Sequence, residues 1–286
     1  MALQLGRVSN LPTVWTNTLA GALLAGALGF GAELAVMLGA FSLFYVGGMF
    51  LNDAFDAEYD ALQRPERPIP SGGVSRAEVF GYGFGLLAGG IALLLWTGFA
   101  FEPRTGIWPA LGGTALAAMI TFYDAYHKNN PLSPVLMGLC RVLVYVAAGL
   151  CYTVMLPADL WIGAAVMLCY LIGLTYIAKQ ENLGSVKNLW PLLFLAAPVA
   201  YGAWLIQTQA WVVLFWLLFS TWTLLALWFL RRRKPGDIPR SVVSLIAGIS
   251  LLDAILIAGS GSTALALLAL AGFGSTLLLQ RYIAGT

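Results

Sequence analysis

Ten apolar runs, each close to the length that crosses a bilayer, set the first limit on what this chain can fold into. A membrane helix needs roughly 20 apolar residues. Runs of that kind fall near 11–30, 33–52, 79–100, 106–123, 133–152, 157–178, 188–207, 210–230, 240–259 and 262–280. The last two are separated only by Gly259-Ser260-Gly261-Ser262, so they form either a hairpin or one broken element. The expectation is an all-α, polytopic membrane bundle of nine or ten transmembrane helices, in a single domain over residues 1–286. Charged residues make up 10% of the chain, against about 25% in a soluble domain, which agrees. Met1 to Gly31 reads as a first span with polar residues inside it rather than a cleavable signal.

Charge placement predicts orientation. Arg7, then Arg64, Arg67 and Arg76, then Lys128, then Lys179 and Lys187, then Arg231 to Lys234 with Arg240, lie on alternate loops, with Arg104 opposite. By the positive-inside rule the richer loops and the N-terminus are cytoplasmic. A plasma-type membrane, the bacterial inner membrane in particular, is the expected location. Ten helices would also put Arg281 inside. A net charge of +2 gives no reason to expect a nucleic-acid partner.

The chemistry concentrates where the second run ends. Of 13 acidic residues, five lie between positions 53 and 66. If that helix continues, Asn52, Asp56 and Asp60 fall on one face at four-residue spacing, with Asp53 beside Asp56. Grouped oxygen donors suit a hard cation, and Mg²⁺ usually takes one or two carboxylates plus substrate phosphates. Arg64 and Arg67 add positive charge to the same mouth. A solvated acidic cap is the structural alternative.

Two further polar stretches fall on the same side: Tyr123 to Lys128, with Asp124 and His127, and Tyr176 to Lys187, with Lys179, Gln180 and Glu181. Asn17, Arg141 and Asp253 lie within spans, where ionisable groups normally face a bundle interior or a wet cavity. Arg141 divides between a ligand-facing role and structural pairing, and a buried hydroxyl partner would account for Asp253. His127 reads as a solvated loop histidine, Arg231 to Lys234 as a topology anchor, and Cys140, Cys151 and Cys169 as packing residues.

Asn-Asp-x-x-Asp-x-x-x-Asp followed by Arg-Pro-x-Arg-Pro-Ile-Pro-Ser-Gly, here Asn52 to Gly72, resembles the first signature of the UbiA superfamily of intramembrane prenyltransferases. The span count, the loops after helices two, four and six, and the Tyr123…Lys128 spacing are similar as well. The resemblance implies a helical bundle around a central cavity opening sideways to lipid. It implies Mg²⁺, a polyprenyl diphosphate donor, and a hydrophobic or aromatic small-molecule acceptor. Asn52, Asp56 and Asp60 would be metal-side ligands with Asp53 close, and Arg64, Lys128 and Lys187 diphosphate contacts. Arg67, Tyr123, Asp124, Arg141 and Asn17 join the expected substrate site.

The chain departs from that pattern after the sixth span. Where the family carries Asp-x-x-x-Asp, this sequence has Tyr176 and Gln180, with Lys179 and Glu181 as the charged neighbours. Glu181 could hold a second ion, Lys179 could replace it with a fixed charge, or chemistry could be lost. The Lys-Gln-Glu-Asn version resembles an EboC-like branch of the superfamily, from a bacterial gene cluster. Besides an active prenyltransferase, the sequence leaves open a degenerate prenyl- or lipid-binding protein of the same fold and, more remotely, a secondary transporter.

Overall fold

Helix starts are written plainly in the sequence. Pro12, Pro109 and Pro134 each sit in a first helical turn, where a missing N–H breaks no bond. Ser75 and Glu78 form a reciprocal capping box, the Glu78 N–H donating to Ser75 Oγ at 3.2 Å and the Ser75 N–H to Glu78 Oε2 at 2.9 Å. The computed structural model describes residues 5–128, 130–180 and 190–283, with Gln180 described by its backbone alone.

The described helices are α1 (Leu11–Leu24), α2 (Ala32–Phe55), α3 (Ala57–Gln63), α4 (Arg76–Ala100), α5 (Trp108–Tyr126) and α6 (Ser133–Gly149), followed by α7 (Ala158–Gln180), α8 (Ala196–Leu205), α9 (Val212–Arg232), α10 (Asp237–Gly259) and α11 (Thr263–Leu279). Short 3₁₀ turns precede α1 and α8. Each of the ten apolar runs carries helix, and the acidic stretch adds α3. By length and composition, α2, α4, α7, α9 and α10 can cross a membrane. The chain is an all-helical membrane protein.

Packing is set by small residues at close crossings. Between α2 and α4, a side chain at Gly47 would stand 2.9 Å from the Gly83 carbonyl, and one at Gly90 would meet Phe44. Between α1 and α6, a side chain at Gly21 would stand 2.7 Å from the Tyr145 backbone. Close approach of this kind is how helices associate in lipid, where burial of apolar surface gives little drive. α1 and α6 contribute to both apolar clusters, one with α2, α4 and α5, the other with α7 to α11. α10 is the central post, buried continuously from Ala247 to Ala258. The turn through Gly261, at φ 89°, folds α11 back on α10, so the last two runs form a hairpin.

One expectation needs refinement. The second helix does not run on smoothly to Asp60: α2 ends at Phe55 and α3 starts at Ala57, with Asp56 at the break. The four-residue bonding survives the bend, because Asp56 N donates to Asn52 O at 2.9 Å and Asp60 N to Asp56 O at 2.8 Å. Asn52, Asp53, Asp56 and Asp60 are all buried.

Candidate functional site

Two adjoining cavities lie where α1, α2, α5 and α6 meet. The inner one, about 200 Å³, is walled by Phe41, Phe44, Leu116, Ile120 and Val144, with Asn52 and Asp124 at its polar end. The outer one, about 310 Å³, reaches the ends of α3, α7 and α10. Arg7, Tyr45, Tyr123, His127 and Arg141 border both. The outer cavity is lined by five basic residues, Arg7, Arg64, Arg67, Lys128 and Arg141, against two acidic ones, Asp56 and Asp60. A positive mouth thus opens onto an apolar chamber, a shape that fits an amphiphile with an anionic head.

The carboxylates of the mouth are individually tied. Arg67 Nη1 donates to Asp60 Oδ2 at 2.7 Å and to Asp53 Oδ1 at 3.2 Å, and Arg7 Nη2 reaches Asp53 Oδ1 at 3.4 Å. Lys128 Nζ lies 3.1 Å from Asp56 Oδ2 and 3.6 Å from the centre of the Tyr59 ring. Burial raises the Asp56 pKa, but His127 and Lys128 outweigh it and hold the carboxyl below its ordinary value. Asn52 Nδ2 donates to Asp124 Oδ1 at 3.1 Å, while Asp124 Oδ2 is buried without a partner among the described residues. The Arg64 side chain borders the outer cavity and has no hydrogen-bond or ion-pair partner among the described residues.

His127 is not a loosely solvated loop residue. Its Nδ1 lies 3.1 Å from the Asp124 carbonyl, its Nε2 3.5 Å from Asp56 Oδ2, and its ring stacks on Tyr123 at 5.1 Å. Arg7 was legible in the sequence only as a loop charge. A left-handed backbone at Arg7, φ 40°, leads into the 3₁₀ turn before α1, and its carbonyl accepts from the Tyr45 hydroxyl at 3.2 Å.

Residues 14–242 match the model of the UbiA prenyltransferase family. The chain belongs to that family. A digeranylgeranylglyceryl phosphate synthase from Ignicoccus hospitalis is 34% identical over 161 residues, 56% of this chain and 48% of the relative. One from Methanopyrus kandleri is 41% identical over 92 residues, 32% of this chain and 33% of the relative. The chain therefore aligns with about half or less of these relatives' lengths. The apo structure of a UbiA homologue from Aeropyrum pernix K1 superposes with TM-score 0.60 at 19% identity, covering 88% of this chain and 97% of that one. A structure described as giving insight into the biosynthesis of digeranylgeranylglyceryl phosphate synthase in membranes superposes with TM-score 0.63 at 17% identity, covering 91% and 97%. At those identities the likeness shows the fold.

Within this UbiA bundle the expected residues separate into groups. Asp56, Asp60, Arg64, Arg67, Tyr123 and Lys128 line the mouth, Asp53 is tied to it through Arg7 and Arg67, and Asn52 and Asp124 stand at the polar end of the inner cavity. Arg141 borders both cavities, with Nη1 donating to Asn17 Oδ1 at 2.7 Å and Nη2 to Thr13 Oγ1 at 3.1 Å. Asn17 stands behind it, fully buried and outside both cavity walls, and donates Nδ2 to Asp253 Oδ2 at 2.7 Å. Asp253 also accepts from Thr16 Oγ1 at 2.5 Å and from the Tyr145 hydroxyl. The buried carboxylate of α10 thus anchors the arginine of α6 through α1.

The α7 end is different. The residues it turns to the outer cavity are Leu171, Leu174, Thr175 and Ala178, not Tyr176 or Lys179. Lys179 is exposed and donates to the Asn130 carbonyl at 2.6 Å. Glu181 and Lys187 lie outside the described residues, as does the side chain of Gln180.

Whether the site suits Mg²⁺ can be tested on its donors. Among the described residues no three acidic, His or Cys groups are gathered as a ready ligand cluster. Mg²⁺ does not require one, because it keeps waters and shares substrate phosphates. Asn52, Asp56, Asp60 and Asp124 present only oxygen acceptors and amide, and the unpartnered Asp124 Oδ2 is the kind of buried atom an ion satisfies. The donor set fits.

Proposed function

We propose that this UbiA family member transfers a polyprenyl group from a polyprenyl diphosphate to a hydrophobic or aromatic small-molecule acceptor inside the membrane. One observation carries the reading: five basic side chains line a mouth that continues into an apolar chamber. Arg64, Arg67 and Lys128, with Arg7, bind the departing diphosphate. Positive groups placed where negative charge develops lower the barrier to ionisation. Phe41, Phe44, Leu116 and Ile120 keep water from the allylic cation that remains. Asn52, Asp56 and Asp60 would hold Mg²⁺, which when bound supplies further charge neutralisation on the diphosphate. The mouth faces the cytoplasm of a plasma-type membrane, on the side richer in Arg and Lys.

The relatives named as digeranylgeranylglyceryl phosphate synthases make geranylgeranyl diphosphate the first donor to try. Purified protein would be incubated with it, Mg²⁺ and a membrane lipid and quinone-precursor extract. The expected result is a product heavier than its acceptor by one prenyl unit. An extract unchanged at every mass would count against the reading.

A catalytically degenerate prenyl- or lipid-binding protein is the second reading. Its motivation is specific: Tyr176 and Gln180 stand at the second acidic motif, and Asp53, Asp56 and Asp60 already have basic partners.

A further inference from the structure

Three of the four buried carboxylates around the two cavities are neutralised by protein cations. Asp53 has Arg7 and Arg67, Asp60 has Arg67, and Asp56 has Lys128. Asp124 is the exception. It is 4% exposed, its Oδ1 is met only by the neutral Asn52 amide, and its Oδ2 has no partner among the described residues. A buried carboxylate with a free oxygen and no cation is costly, and is relieved by taking up either a proton or a cation.

We infer that Asp124, paired with Asn52, is the second acidic station of this site, taking from α5 the divalent-cation role that no described cavity-lining side chain of α7 supplies. This rests on the proposed function and deepens it. Several observations converge. Asp124 borders the inner cavity beside Asn52, the first residue of the acidic signature. The adjacent His127 ties the two stations together, contacting the Asp124 carbonyl through Nδ1 and Asp56 through Nε2. On α7, the cavity-facing Leu171, Leu174, Thr175 and Ala178 include no carboxylate. Asn52 Oδ1 and Asp124 Oδ2 are both hard oxygen acceptors, which selects Mg²⁺ or Mn²⁺ over softer metals. The hydrogen bond from Asn52 leaves half of the Asp124 carboxylate unused among the described residues. The unused half points to a ligand.

The test is direct Mn²⁺ binding, read by loss of the free-ion electron paramagnetic resonance signal, in detergent-solubilised protein with inorganic diphosphate. Asp124→Asn keeps the shape of the side chain and removes its charge. We expect it to weaken Mn²⁺ binding about tenfold or more, on the scale of losses at metal-supporting positions. Asp124→Glu, which keeps the carboxylate, is expected to retain most of the binding, and serves if the Asn variant does not fold. Mn²⁺ affinity within twofold of wild type in Asp124→Asn overturns the inference while leaving the proposed function standing. A Glu variant that folds but binds as poorly as folded Asn overturns it too. If wild type itself takes up no Mn²⁺ with diphosphate, both this inference and the metal-assisted reading of the site fail.

Discussion

Arg67 Nη1 lies 2.7 Å from Asp60 Oδ2, and the same nitrogen reaches Asp53 Oδ1 at 3.2 Å. One guanidinium from the loop after α3 thus clasps carboxylates on both sides of the α2–α3 break. The Arg-Pro-x-Arg-Pro segment holds the acidic mouth in shape before any diphosphate arrives, and the bend at Asp56 brings Asp53 and Asp60 within reach of one side chain.

Arg67→Ala should therefore destabilise the fold as well as weaken diphosphate binding. It leaves two buried carboxylates facing each other with one basic partner fewer, at a cost of about 1–3 kcal/mol for a partly exposed site. Thermal unfolding in detergent, with inorganic diphosphate titrated in, measures both effects. Unchanged stability would show that the clasp contributes nothing.

The interior network makes a separate prediction. Asp253→Leu removes the acceptor of Thr16, Asn17 and Tyr145 together. Each such bond within a membrane bundle is worth about 0.6 kcal/mol on average. Tyr145→Phe should then cost well under about 2 kcal/mol, and Asp253→Leu clearly more. Equal effects of the two variants would contradict the shared anchor.

How much of this could be read from the sequence depends on distance along the chain. Asn52, Asp56 and Asp60 were legible because their four-residue spacing is local, and the backbone keeps it through the bend. Asp253 was legible as a buried ionisable group, but its partner Asn17 lies 236 residues away and only the fold brings them together. His127 shows the same limit. Its orientation comes from Tyr123 stacking and contact with Asp56, and no local pattern announces it. On α7, the resemblance to the family's second acidic motif points to Tyr176 and Gln180, whereas helix rotation turns Thr175 and Ala178 to the cavity.

That rotation ranks the lysines. Lys179 donates to a backbone carbonyl away from the mouth, whereas Lys128 touches Asp56. Lys128→Ala should lower diphosphate affinity about tenfold or more, the scale of one hydrogen bond to a charged group. Lys179→Ala should change it little. A titration of inorganic diphosphate by calorimetry on the two variants checks this, and the reverse ranking would restore Lys179 as the substitute for a second ion.

Asp56 sets a pH dependence. Its carboxyl is held below the ordinary value of 3.8 despite burial. A group with a lowered folded pKa contributes stability above its unfolded value and loses it as pH falls through the folded one. The stability advantage of wild type over Asp56→Asn should shrink as the medium becomes more acidic than the ordinary Asp value. Denaturant unfolding across that range reads it out, and parallel pH profiles would contradict the pairing with His127 and Lys128.

In the proposed function, the mouth and chamber together break an allylic diphosphate. The most direct measurement is release of inorganic diphosphate from geranylgeranyl diphosphate by the solubilised protein, with and without Mg²⁺, for wild type and Asp56→Ala. Wild type is expected to release diphosphate only with Mg²⁺, and the variant to release none. Tight binding of the intact diphosphate with no release under any condition would contradict it, and would favour a scaffold that holds prenyl lipids without cleaving them.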